Sequence, residues 1–337
     1  MRYACGLYGG SFNPLHLGHV RCMLEAANRC DRLIIVISDG KNRGEISIRQ
    51  RYRWVYEATK HFPHVELFVL EDTTPTKADY TEELWLADAQ KVKAFAGQRI
   101  DAVFCGSDYG PDSVWAKCYP EAELVVLERD GMSSTAVRKD HMACWDMLPD
   151  FVRPYFAKKV LLIGGESTGK STLTISLARR YATCWLEEVG RDISARSGTD
   201  LWMLQADFTD ILLQHKAREI EALQRANRVL FEDTDCLITL FYLNFLEGDD
   251  AEDNVRLAEA IAHLNSYDLI LYLQPDVAFV QDGDRSEVIA ADRERYSRQI
   301  AALYQRFGFR ITEVRGDYQT RYETAVRLVD EMLRGGS

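Results

Sequence analysis

Two arrangements of apolar residues alternate along the chain. Short apolar runs at residues 3–8, 33–37, 65–70, 102–105 and 124–127 read as buried strands. The stretches between them carry apolar residues every three or four positions, the period of a helix packed on one side. In the first such stretch Val20, Met23, Leu24 and Ala27 share a face. The rhythm restarts at 160–163 and continues through 229–231, 269–273 and 309–314, with Leu173, Leu177 and Tyr181 on one face of the helix after the restart. Alternation of this kind builds a mostly parallel sheet covered by helices, so two runs of it predict an α/β chain with two such sheets. Residues 148–158, with Pro149 and Pro154, separate the runs, and the domains are placed at 1–150 and 156–337.

A length of 337 residues suits two cores rather than one, and a hydrophobic content of 47% gives each enough apolar surface to fold. The net charge of −11, from 41 Lys and Arg against 52 Asp and Glu, argues against gripping a nucleic-acid backbone. No run approaches the roughly 20 apolar residues of a membrane span, and the N-terminus lacks a signal-peptide core. The eight cysteines are scattered without a CxxC pair and read as reduced. The expectation is a cytoplasmic protein with no nucleic-acid or membrane partner. The sequence leaves open whether it forms a homo-oligomer.

Candidate chemistry sits at two strand-to-helix junctions. The first reads GGSFNPLHLGH over residues 9–19. Gly9 and Gly10 let the backbone approach a polyphosphate, Ser11 and Phe12 complete the loop around the nucleotide, and Asn13 is set against the second substrate. His16 and His19 are placed to donate to phosphate oxygens at the positive end of a helix, and Gly18 admits a ribose or base. On their own these histidines also fit a surface turn or half of a metal site. MSSTAVR at 132–138 adds Ser133, Ser134 and Thr135 at a helix N-cap and Arg138 behind them, a second set of groups for the same anion.

Together the two motifs resemble the nucleotidyltransferase superfamily with its (H/T)xGH and SSTxxR signatures, and within it the pyridine-nucleotide adenylyltransferases. The resemblance implies a Rossmann-like sheet in which a mononucleotide phosphate attacks the α-phosphorus of ATP and pyrophosphate leaves. It makes His16, His19 and Arg138 the catalytic candidates. Gly106 and Asp108, in the GSD segment that ends a strand, resemble the part that contacts adenosine, although a plain turn reads the same way. Trp85 resembles a residue near the pyridine ring, and its helical spacing equally suits the core.

The second junction reads VLLIGGESTGKST from Val160 and contains GxxxxGK followed by serine, directly after an apolar strand and before a helix. The loop Gly164, Gly165, Glu166, Ser167, Thr168 and Gly169 would surround a β-phosphate, with Thr172 in the first helical turn. Lys170 would reach the β,γ-oxygens, and Ser171 would hold Mg²⁺. Asp233 closes a strand in VLFEDTD and is the second Mg²⁺ candidate. In EEVGRD, Glu188 is placed to take the acceptor's hydroxyl proton, while Arg191 and Asp192 are set against that acceptor. QDGDRSE at 281–287 reads as a lid presenting Arg285 or as a solvated loop.

These segments, in this order and behind an adenylyltransferase-like half, resemble the NadR-type bifunctional adenylyltransferase and ribosylnicotinamide kinase family. The resemblance implies a P-loop kinase sheet in the second half, with ATP and Mg²⁺ as cofactors. It implies phosphorylation of ribosylnicotinamide to nicotinamide mononucleotide and adenylylation of the mononucleotide to NAD. Many members carry an additional helix-turn-helix repressor module, whereas here Met1 runs almost directly into the first strand, so operator binding is not expected. The wording of residues 9–19 is closer to nicotinate-mononucleotide adenylyltransferases, which leaves the acid or amide preference open. A fusion acting on another vitamin-derived substrate, or an ATP- or NAD-binding sensor, are the competing readings.

Overall fold

The computed structural model describes the chain apart from residues 1, 42–45, 107–109, 111, 129–133, 198–202, 247–250, 281–290 and 336–337. It divides into two compact units, Met1–Val152 and Arg153–Ser337.

In the first unit the apolar runs become β1 (Tyr3–Gly10), β2 (Cys30–Gly40), β3 (Val65–Asp72), β4 (Ala102–Gly106) and β5 (Glu123–Leu127). They pair in parallel in the order β3-β2-β1-β4-β5, which puts β1 at the centre, flanked by strands reached by opposite turns of the chain. Such a reversal of strand order opens a crevice at the carboxyl ends of the strands, where α/β folds bind ligands. The covering helices are α1 (Leu17–Arg29), α2 (Ile48–Thr59), α3 (Glu82–Ala96), α4 (Val114–Cys118) and α5 (Ser134–Lys139). β1 and β2 bury both faces, as parallel strands between helix layers must, with Leu7, Ile34, Val36 and Val103 packed against Ala89 and Val92 of α3.

The second unit contains β6 (Lys158–Gly164), β7 (Trp185–Leu186), β8 (Val229–Asp233), β9 (Leu269–Leu273) and β10 (Thr312–Val314), all parallel, in the order β10-β9-β6-β8-β7. Its helices are α6 (Lys170–Arg180), α7 (Val189–Ser197), α8 (Gln205–Leu223), α9 (Cys236–Leu246), α10 (Glu252–Leu264), α11 (Arg293–Arg306) and α12 (Tyr318–Arg334). The central strand β6 presents Val160 and Leu162 to one apolar cluster with α6 and α12, and Leu161 and Ile163 to another with α9, α10 and α11.

Two details depart from the apolar pattern. α1 buries Gly18, His19, Cys22, Met23, Ala26 and Ala27 and leaves Leu24 exposed, because the helix is rotated to bring His19 inward. The last strand spans Thr312–Val314 only, while Phe309 and Ile311 before it pack into the core without ladder bonds. β7 is a two-residue edge strand, built from the short apolar run before Glu187. All eight cysteines are free. Among the described residues no helix is long and apolar enough to cross a membrane.

One core position is under electrostatic load. Glu232 on β8 is fully buried, and neither carboxyl oxygen has a hydrogen-bond partner among the described residues. Burial, reinforced by the nearby Glu219 carboxylate, holds its pKa well above the usual carboxylate range. The folded protein therefore keeps this proton at pH values where the unfolded chain releases it, and stability falls as pH rises above the ordinary glutamate pKa. Replacing Glu232 with Met is expected to stabilise the second unit by about 1–3 kcal/mol at pH 8, with a smaller gain near pH 5. Urea unfolding of both proteins at the two pH values measures this, and a gain that grew toward acid would refute the assignment.

Candidate functional sites

At the first junction, β1 ends in Gly9 and Gly10, and the loop that follows reaches α1 at its N-cap, His16. Gly9 is sterically fixed, since a Cβ there would stand 2.6 Å from the Trp115 ring. His16 and His19 are both buried, with their rings stacked 3.7 Å apart between centroids. Both reach the Ser134 hydroxyl at the start of α5: His16 Nε2 lies 3.0 Å from Oγ and His19 Nε2 lies 3.4 Å from it. Residues more than a hundred positions apart thus meet at one helix N-terminus. Arg138 donates to the Asn13 carbonyl at 2.7 Å and to Thr135 Oγ1 at 3.1 Å, tying α5 to the loop. Phe12 sets the edge of its ring on His19. Imidazoles, hydroxyls, a guanidinium and helix-terminal amides in this arrangement form a cradle for an anion.

The loop is held by a residue that the sequence did not single out. Arg51 on α2 is wholly buried and donates to the carbonyls of Ser11 (2.7 Å), Ser38 (2.6 Å) and Ile46 (2.7 Å) and to the Asp39 carboxylate (2.8 Å). The Ile46 amide in turn donates to Asn13 Oδ1 at 3.2 Å. Trp85 is half-buried, edge-on to Trp115 and Tyr80, so its ring belongs to the aromatic packing that also backs Gly9. Gly18 is buried in the first turn of α1, and Gly106 ends β4.

At the second junction, β6 ends at Gly164, the loop runs through Gly165, Glu166, Ser167 and Thr168, and α6 begins after Gly169. Gly169 takes φ +84°, and a Cβ there would meet the Tyr318 ring at 2.7 Å, so both conformation and space demand glycine. Lys170 Nζ donates to the Gly165 carbonyl at 3.1 Å, and Thr168 Oγ1 donates to the same carbonyl at 2.9 Å. The lysine is therefore folded back over the loop, where a polyphosphate would sit. The Glu166 carboxylate accepts from the Tyr242 hydroxyl at 2.9 Å. Here too a buried arginine holds the backbone: Arg321 of α12 donates to the carbonyls of Thr168, Gln274 and Gly316 and to Asp276. Arg293 of α11 adds a bond to the Ser167 carbonyl at 3.3 Å.

Asp233 closes β8 beneath this loop, almost fully buried, with the Ser171 hydroxyl beside its carboxylate. Burial and the neighbouring Glu188 carboxylate push its pKa up to about 6, against the pull of Lys170, Ser171 and Arg191. Its Oδ1 has no hydrogen-bond partner among the described residues. A cavity runs from the loop and Thr172 past Glu188 and Arg191 and along an apolar wall that includes Met203, Phe208 and Tyr242. Glu188 and Arg191 face each other at 3.9 Å. The expectation that Asp192 joins them fails: neighbouring positions on a helix point about 100° apart. Arg191 lines the cavity, while Asp192 turns to Arg218 at 3.4 Å. Asp108, Ser133 and Arg285, with the lid segment around Arg285, lie outside the described residues. Among the described residues no group of three or more His, Cys, Asp or Glu side chains is arranged to hold a metal ion by itself.

Comparison with known proteins agrees with both halves. A family model described as cytidylyltransferase-like matches residues 7–152, and one described as an AAA domain matches residues 159–321. The trifunctional NAD biosynthesis/regulator protein NadR of Salmonella typhimurium is 26% identical over 344 aligned positions, which cover 97% of this chain and 83% of that protein. The fold is that of the NadR protein in complex with NR, with a TM-score of 0.83 over 98% of this chain and 96% of that one at 20% identity. The NadR protein in complex with NAD and AMP-PNP gives 0.80 with the same coverage at 21% identity.

Removing one partner of a buried, fully bonded guanidinium leaves several carbonyls and a carboxylate unmatched. Arg51→Met should therefore destabilise the first unit by about 3–5 kcal/mol. Arg51→Lys should recover little, because an ammonium cannot reproduce the planar fork. Chemical denaturation followed by tryptophan fluorescence tests this, and a lysine variant as stable as the parent would contradict it.

Proposed function

We propose that this chain, a homologue of the NadR proteins across both of its units, makes NAD from ribosylnicotinamide in two ATP-dependent steps. Residues 156–337 act as the ribosylnicotinamide kinase and residues 1–150 as the nicotinamide-nucleotide adenylyltransferase. The observation that carries the reading is a phosphate-cradle-like strand-to-helix junction in each unit of a chain that aligns over 97% of its length with a NAD biosynthesis protein.

In the kinase step the 5′-hydroxyl oxygen of the riboside bonds to the γ-phosphorus of ATP, the bond to the bridging oxygen breaks, and ADP leaves. Lys170 and the amides of the loop stabilise the oxygens of the transferred group, and Glu188, facing the cavity, accepts the hydroxyl proton. Ser171 and Asp233 would hold Mg²⁺, because a hydroxyl and the unpartnered, buried Oδ1 are the hard oxygen donors such an ion takes. When bound with ATP it would neutralise charge on the β,γ-phosphates. Arg191, at the mouth of the apolar cavity, is placed to steady the acceptor.

In the adenylyl step a phosphate oxygen of the mononucleotide bonds to the α-phosphorus of ATP and pyrophosphate leaves. Nothing in this step needs a protein nucleophile, so the work is orientation and charge neutralisation. His16, His19, Ser134, Thr135 and Arg138 supply it, and the junction backbone from Gly9 to Asn13 positions the nucleotides.

Two substitutions separate the steps. Lys170→Ala should reduce turnover of ribosylnicotinamide by at least about 100-fold and leave conversion of nicotinamide mononucleotide to NAD intact. His19→Ala should do the reverse, so that the mononucleotide accumulates when ATP, Mg²⁺ and ribosylnicotinamide are supplied. Chromatography of the products decides, and equal loss of both steps in both variants would remove the two-site reading.

A further inference from the structure

The inner end of the kinase cavity is polar where its wall is apolar. α8 sends Phe208, Ile211 and His215 to line it at successive turns, and seven residues of helix place His215 about 10 Å along the helix axis from Phe208. His215 is buried, and its Nε2 lies 3.0 Å from the carbonyl oxygen of Thr234. A carbonyl only accepts, so Nε2 carries the proton. Burial lowers the imidazole pKa and keeps the ring neutral. The other ring nitrogen, Nδ1, is thereby fixed as an acceptor.

The carbonyl that sets this tautomer belongs to a residue in the left-handed region: Thr234 has φ +67°, which a β-branched residue adopts only where its surroundings enforce it. Beside it Asp235 also lines the cavity, held by the hydroxyls of Tyr267 and Tyr304 and the Leu237 amide. The floor therefore combines a neutral acceptor with a carboxylate.

Resting on the kinase reading above, we propose that His215 determines the base specificity of that site, accepting a hydrogen bond from the carboxamide NH₂ of a pyridine riboside and excluding the carboxylate analogue. A carboxamide offers a donor to Nδ1. A carboxylate offers only acceptors and a second negative charge next to Asp235, in a place where protonating the imidazole is opposed by burial.

The test is steady-state phosphorylation of ribosylnicotinamide and of nicotinic acid riboside by the whole chain. The parent protein should favour the amide by roughly 100-fold in kcat/KM. His215→Leu should bring the two within about threefold, through a higher KM for the amide riboside and with KM for ATP unchanged. His215→Gln, which keeps a donor for Thr234 and an acceptor for the base, should retain most of the preference. Equal use of both ribosides by the parent, or an unchanged ratio in His215→Leu, overturns the assignment of His215 while the kinase reading stands. Failure of the parent to phosphorylate either riboside removes both. If the leucine variant does not fold, nitrogen NMR of the parent decides: the Nδ1 resonance of His215 should shift on adding ribosylnicotinamide and not on adding the acid, and no shift with the amide refutes the proposal.

Discussion

A loop that turns its amide hydrogens toward an anion must have its carbonyl oxygens held from elsewhere, or they compete for the same space with the wrong charge. In both units one buried arginine does this. Arg51 collects the carbonyls of Ser11, Ser38 and Ile46, and Arg321 collects those of Thr168, Gln274 and Gly316, each completed by an aspartate, Asp39 in the first and Asp276 in the second. A guanidinium suits the task because its five donors are fixed in one plane, so several carbonyls are oriented by a single rigid group. The aspartate balances the charge that burial would otherwise make costly.

The same clamps hold the loops meant to receive polyphosphate without adding net charge, since each guanidinium is paired with its aspartate. The loop each one holds leads into the N-terminus of a helix, α1 in the first unit and α6 in the second. Asp233 and Glu188 show the opposing pressure. Burial and the Glu188 carboxylate together raise the Asp233 pKa to about 6 despite Lys170 and Arg191, a cost that a bound divalent cation would offset. The second unit thus keeps groups at its site that oppose its own stability, as binding sites commonly do.

What could be read from the sequence follows from locality. A phosphate loop is contiguous, so GGSFNPLHLGH and GGESTGKST announced their strand, loop and helix order, and Ser134 and Arg138 were recognisable because they open a short helix as a group. Arg51, Arg321 and His215 gave no such signal. Each is a single polar residue in an amphipathic helix, where the expected position is solvent, and only the tertiary fold shows that it points inward. The phase of α1 departs from the apolar pattern for a related reason: His19 sits on the buried face together with Cys22 and Ala26, which turns Leu24 outward. Asp192 follows Arg191 directly in the chain yet turns away to Arg218, because successive helix positions point apart.

This asymmetry bears on how the two halves of a transfer reaction are encoded. On the proposed reading ATP would be met by backbone amides of loops that require glycine, at Gly9 for space against Trp115 and at Gly169 for its left-handed backbone, and that requirement is written in short motifs. On the same reading the acceptor would be met by side chains on α7, α8 and α9, elements separated in the chain and brought together by packing of Val189, Phe208, Ile211 and Leu243 in one apolar cluster. Phe208, Ile211 and His215 follow helical spacing, and any apolar helix satisfies that pattern until one position along it is a histidine bonded to a backbone carbonyl. Reaction class is consequently legible from a few contiguous residues. Base selectivity depends on which atom of one inward-facing ring is left to accept, and that is a property of the folded cavity.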